Sequence, residues 1–239
     1  HVRWCERLRG DPGAYSIGRV SGMRFPCPAG RGVGVEEVVV VFRIRYDAPR
    51  AAELLAGEMF RVLSRWSGAR PGFLCVGTDR STGDSFGPLV GSLLCGWGVD
   101  ARVVGTLPDP VHAQNVGQWA AAMRDLGVRP LVVVDADVGG EPGCLALVSG
   151  GLEVAGGRFG TIGDLGLSGS MVSGVGGHFF NVVALGSVRL WQVLSMAHVA
   201  ARAVALAVEM LGRKAWGPLF PAAESSVAEL VAACGGGEA

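Results

Sequence analysis

The alternation of apolar and polar positions divides the chain into short strands and amphipathic helices in regular succession. Val35 to Tyr46 is β-branched and places Phe42, Ile44 and Tyr46 on one face, which predicts a strand. Asp47-Ala-Pro49 predicts the start of a helix, with Asp47 as its cap and Pro49 in its first turn. Leu54, Leu55, Met59, Phe60, Leu63 and Trp66 then recur at helical period. Further on, strand Gly72–Val76 leads to helix Ser85–Trp97, and strand Arg102–Gly105 leads to helix Gln114–Leu126. Strand Leu131–Asp135 enters a glycine-rich region with short β segments at Cys144–Ser149 and Gly166–Val172. A long apolar helix from Ser187 to Leu211 closes the series, with Trp191, Leu194 and Met196 expected in the core. Strands alternating with helices of this length predict an α/β three-layer sandwich with a mostly parallel central sheet.

The expected organisation is a poorly ordered Gly-, Pro- and Arg-rich leader over residues 1–34, one α/β domain over 35–215, and a frayed tail over 216–239. Net charge is zero and the pI is about 7.1, so no basic footprint points to nucleic acid or to a membrane surface. Leu165 to Val188 carries no Asp, Glu, Lys or Arg, yet its Gly and Ser content predicts buried protein interior rather than a membrane span. The six cysteines show no C-x-x-C pair, which argues against a zinc ribbon and fits a reducing cytoplasm. Cys75 and Cys95 lie in apolar runs and are expected to be small core residues.

Function-capable groups concentrate in three predicted strand ends. The first delivers Thr78, Asp79, Arg80, Ser81, Thr82, Gly83 and Asp84; the second runs from Thr106 through Asp109 and His112 to Asn115; the third is Asp135-Ala-Asp137. In a parallel sheet these loops share one edge, where ligands of open α/β folds bind. Asp84 reads either as the cap of the following helix or as a working carboxylate. Asp135 ends four apolar residues and reads either as an acceptor for loop N–H groups or as a second working carboxylate. Facing each other, the two would share a proton as acid and base around a water. The Gly77–Ser85 loop lacks the Gly-Lys-Ser/Thr ending of a phosphate cradle and carries Asp79 and Asp84, which disfavours nucleotides. Gly166-Leu-Ser168-Gly-Ser170 fails as a nucleophile elbow at its last position. His112 and His178 match no compact metal-binding spacing, and neither a metal nor another cofactor is expected.

Gly77-Thr-Asp-Arg-Ser-Thr-Gly-Asp-Ser-Phe-Gly-Pro-Leu-Val-Gly91 resembles the signature of the YyaC-type sporulation proteins. So do Gly105-Thr-Leu-Pro-Asp-Pro-Val-His-Ala-Gln-Asn115, Val132-Val-Val-Asp-Ala136 and Gly163-Asp-Leu-Gly-Leu-Ser-Gly169. The resemblance spans about Val35 to Leu211 and extends to the spore germination protease, which degrades small acid-soluble spore proteins. More distantly it reaches the hydrogenase-maturation endopeptidases. It implies a phosphorylase/hydrolase-like fold and an aspartic-type peptidase, in which Asp84 of Asp84-Ser-Phe-Gly-Pro88 and Asp135 of Asp135-Ala136 match the protease's catalytic aspartates. The chain departs from the protease at Thr78-Asp-Arg-Ser81 and at Asp137-Val-Gly-Gly.

The expected function is a sporulation-associated hydrolase acting on a peptide or spore protein. Asp84 and Asp135 would be its catalytic pair, with Asp79, Arg80, Thr82, His112 and Asn115 positioning substrate. Two alternatives stand beside it. One is a non-enzymatic peptide or partner binder on the same fold, with an Asp79–Arg80 ion pair in the cleft. The other is a metal-dependent endopeptidase of the hydrogenase-maturation kind, with His112 or His178 completing the ligands. The sequence leaves the oligomeric state open.

Overall fold

A computed structural model describes residues 39–66, 70–154, 159–173 and 183–216. The strands are β1 (Val39–Arg45), β2 (Gly72–Cys75), β3 (Arg102–Val104), β4 (Leu131–Val138), β5 (Cys144–Ser149), β6 (Leu152–Glu153), β7 (Thr161–Ile162) and β8 (Leu165–Val172). The helices are α1 (Ala51–Leu63), α2 (Phe86–Gly96), α3 (Val116–Asp125) and α4 (Leu190–Trp216), with a 3-10 turn at Gly83–Ser85 before α2. The predicted leader, almost all of the tail and His178 lie outside the described residues.

Six strands form one sheet in the order β1-β5-β8-β4-β2-β3. β8, β4, β2 and β3 are mutually parallel, while β5 runs antiparallel to both β1 and β8. The fold is therefore mixed α/β with a mostly, but not purely, parallel sheet. β6 and β7 form a separate two-stranded ribbon that the sequence pattern does not foretell. Its strands are two residues each, too short to display a period.

Strand side chains alternate between faces, and the alternation builds two cores. Phe73, Cys75, Val132, Val134, Leu145, Leu147, Leu165 and Leu167 meet α1, α2 and α4 on one face. Leu74, Val76, Leu131 and Val133 meet Val116, Ala120 and Met123 of α3, together with Ile162 of β7, on the other. Burial on both faces explains why β2 and the first half of β4 are continuous apolar runs. In α1 the predicted stripe is seen in Leu55, Met59 and Leu63, which are fully buried or nearly so.

Three local expectations are corrected, and one open alternative is decided. Asp47 does not cap α1: the N-cap is Arg50, in the left-handed region at φ 57°. Asp47 instead receives a two-pronged bond from Arg45, Nε to Oδ1 at 2.9 Å and Nη2 to Oδ2 at 3.0 Å. That charge-assisted pairing outcompetes capping. Asp84 does not cap α2 either, because its carboxylate turns back across its own loop. Trp191 is 66% exposed, on the outer face of the first turn of α4, while Met196 is buried as expected. Cys95 is exposed while Cys75 is buried, since α2 turns only one face inward.

α4 is long and apolar enough, over Leu190–Gly212, to cross a membrane, but half of its most apolar window is buried inside the fold. Its Val193, Met196, Ala197, Ala200, Ala201 and Val204 pack in the first core with α1 and α2, the behaviour of a core helix.

Candidate functional site

Sheet order brings the three strand ends together. β4 lies next to β2, although β3 and α3 separate them in sequence. Beyond Cys75 the second strand continues as a bridge from Val76 to Val111, and Val76 N–H bonds Val134 O at 2.7 Å. The loop leaving β2, the segment ending in His112 and the end of β4 thus meet at the carboxyl edge of the parallel strands, where α/β folds place ligands.

Backbone contact holds the first loop closed. Gly77 has φ +136°, and a Cβ there would sit 2.0 Å from Asp84 O. Only glycine permits this approach. Thr78 N–H then bonds Asp84 Oδ2 at 2.9 Å. On the outer side the backbone of Leu185 lies against Gly83, so the helical segment 183–186 backs the 3-10 turn that presents Asp84. A second glycine fixes the neighbouring loop: Gly105 has φ +88°, and a Cβ there would meet Cys75 O at 1.8 Å.

Asp135 lies close enough to Asp84 to feel its charge. Burial raises the Asp84 carboxyl above its ordinary value, against the opposing pulls of the Thr78 N–H and of nearby His112. Burial, then the charge of Asp84, hold Asp135 well above the usual carboxylate range. The Ala136 N–H, 2.8 Å from Asp135 Oδ1, pulls the other way, and Asp137 adds to the upward push. Two carboxyls in this relation are able to hold one proton between them.

The other expected site residues divide. His112 faces the pair through Asp84, and its Nδ1 accepts Gln114 N–H at 3.3 Å. Asn115 is a clamp on its own loop: Oδ1 accepts His112 N–H at 2.7 Å and Nδ2 donates to Pro110 O at 3.2 Å. Its amide holds His112 in place. Thr82 O accepts Ser85 Oγ–H at 2.6 Å and so shapes the turn that carries Asp84. Asp79 and Arg80 are exposed at the loop tip, and no ion pair joins them, so the expected salt bridge is absent. Ser81 Oγ is buried in the same loop without a hydrogen-bond partner.

Among the described residues no three His, Cys, Asp or Glu side chains converge as a metal-donor set. Asp84, Asp135 and His112 are not such a set, and His178 lies outside the described residues. One feature went unread in the sequence. Asp137 Oδ2 accepts Ser170 Oγ–H at 3.2 Å across β4 and β8. Its signal is the alternating Ser168-Gly-Ser170, which lies within a strand and not at a strand-to-helix elbow.

Residues 43–203 match the model of a family described as Protein of unknown function (DUF1256). The chain is also 38% identical over 141 residues to the uncharacterized protein YyaC of Bacillus subtilis strain 168, across 56% of this chain and 67% of that protein. The matched region runs from within β1 into α4 and contains all three loops of the site. On both grounds the chain belongs to the DUF1256 family, the YyaC type.

Proposed function

We propose that this protein is a sporulation-associated, peptidase-like hydrolase in which Asp84 and Asp135 activate a water against an amide carbonyl. The observation that carries the reading is the partly buried pair of carboxyls at the carboxyl edge of the parallel strands, both raised above their ordinary values. Such a pair works in the half-protonated state: one carboxylate takes a proton from water while the other, still protonated, donates to the carbonyl oxygen. His112 lies beside Asp84 and biases which carboxyl keeps the proton. Asp79 and Arg80, exposed at the loop tip, meet the flanking parts of a peptide. A phosphorylase/hydrolase-like relationship to the germination protease, a spore-protein substrate and a cytoplasmic location belong to the same proposal.

The test is incubation of the purified full chain with a panel of small acid-soluble spore proteins. Cleavage that Asp84→Asn and Asp135→Asn both abolish supports the reading. An intact panel, together with normal sporulation of a strain carrying Asp84→Asn, overturns it.

A second reading, a non-enzymatic peptide binder, loses the Asp79–Arg80 ion pair that supported it in the sequence, because the two side chains do not pair. It predicts that Asp84→Asn preserves the phenotype while a bulky Thr82→Trp abolishes it.

A further inference from the structure

Asp135 has a neighbour that the pair of aspartates does not account for. In the parallel β4–β8 ladder Asp135 is in register with Ser168, and Asp137 with Ser170. Side chains in register on adjacent strands point to the same face, so two Asp/Ser rungs lie side by side on the α3 face of the sheet. The outer rung is closed, since Ser170 Oγ–H bonds Asp137 Oδ2 at 3.2 Å and Ser170 is 1% exposed. The inner rung is open. Ser168 is 7% exposed, and among the described residues its hydroxyl has no hydrogen-bond partner. Of the Asp135 oxygens, Oδ1 takes the Ala136 N–H.

Adjacent strands are only about 4.8 Å apart. The outer rung shows that a serine and an aspartate in register on these two strands can bond side chain to side chain, and the inner rung has the same residue types one step along. We propose that Ser168 is a positioning residue for Asp135: its hydroxyl donates to the ionised carboxylate, orients it, and offsets part of the cost of burying its charge. The inference rests on Asp84 and Asp135 working as a pair, but not on what they hydrolyse.

The groups facing Asp135 are Asp84 from the 3-10 turn, with His112 behind it, Asp137 on its own strand, and Ser168 on β8. Arg43 lies in the same row but two strands further off and exposed. Among the described residues no other charge therefore replaces the hydroxyl if it is removed.

The experiment is a carbon-13 NMR titration of the Asp135 carboxyl in the full chain, with the resonance assigned by its loss in Asp135→Asn. Ser168→Ala deletes the donor, and Ser168→Cys keeps the bulk with a much weaker one. Both are expected to move the Asp135 midpoint upward, Ser168→Ala by about one pH unit, the scale of one hydrogen bond to a charged group. A merely structural serine would leave the midpoint in place. An unmoved or lowered midpoint in a folded Ser168→Ala protein overturns the proposal, as does a Ser168→Cys midpoint equal to that of the parent. The titration needs no substrate, so a chain that cleaves nothing but shows the shift defeats the hydrolase reading and leaves this one standing.

Discussion

The two ends of the parallel strands hold charge in opposite ways. At the amino-terminal end a cleft of ≈430 Å³ is lined by Arg70, Asp100, Arg102 and Arg129 together with Leu126 and Val128. Its charged groups are exposed, and Arg70 and Asp100 pair at 2.9 Å with side chains 74% and 57% accessible. Water screens such charges, and the arginines sit where α2 and α3 end, a placement that helix dipoles favour. At the carboxyl end, burial withdraws Asp84 and Asp135 from water, and Asp135 also feels the charge of Asp84. Volume marks the first end and stored electrostatic tension marks the second. Tension of that kind is what acid–base chemistry requires.

The largest expected difference between the ends is catalytic. Asp84→Asn or Asp135→Asn should lower amide hydrolysis by about 10²–10⁴-fold, the range for a positioned acid or base. Arg102→Ala or Arg129→Ala should change it by less than about twofold, since surface substitutions away from such features have small effects. Peptide cleavage kinetics with circular dichroism as a folding control read both, and equal losses at the two ends would break the comparison.

Backbone strain should separate the ends next. Gly77→Ala places a methyl 2.0 Å from Asp84 O at φ +136°, so a loss of about 3 kcal/mol is expected in urea unfolding. Gly127→Ala, at φ +68° with nothing within 4 Å, should lose only about 1 kcal/mol.

The pH dependence of stability sharpens the contrast further. Because both carboxyls are raised in the folded state, the native protein holds protons that the unfolded chain has released. The stability they confer is complete below about pH 4, the unfolded value, and is lost as pH rises through the folded values. Asp135→Asn should remove much of that decline and raise stability at pH 8 by about 0.5–2 kcal/mol, the trade expected where function costs stability. Melting curves from pH 4 to 8 measure it, and a wild-type profile that rises over this range would contradict the burial argument. The smallest effect is expected at the exposed end, where a double-mutant cycle on Arg70 and Asp100 should return about 0–1 kcal/mol of coupling.

Much of the fold was legible in the chain because it is written in local periodicity. The strands at 72–75, 102–104, 131–138 and 144–149 and the helices at 51–63 and 86–96 follow from apolar spacing and punctuating glycines. The loops bearing Asp84, His112 and Asp135 were legible for the same reason, each being the polar end of an apolar run. What no local pattern contains is pairing between distant segments. Insertion of antiparallel β5 between β1 and β8 is a matter of ladder hydrogen bonds, as is the register that sets Ser168 beside Asp135. The same holds for side chains with two good uses. Asp47 and Asp84 both have the chemistry of a helix cap, and Asn115 has that of a substrate contact. The choice fell to Arg45, to the Thr78 N–H and to the His112 N–H, partners whose positions exist only once the chain has folded. The sequence by itself thus determined which groups were available and on which kind of element. Tertiary structure decided which of them lost their water and which met, because burial and proximity between segments are properties of the packed chain alone.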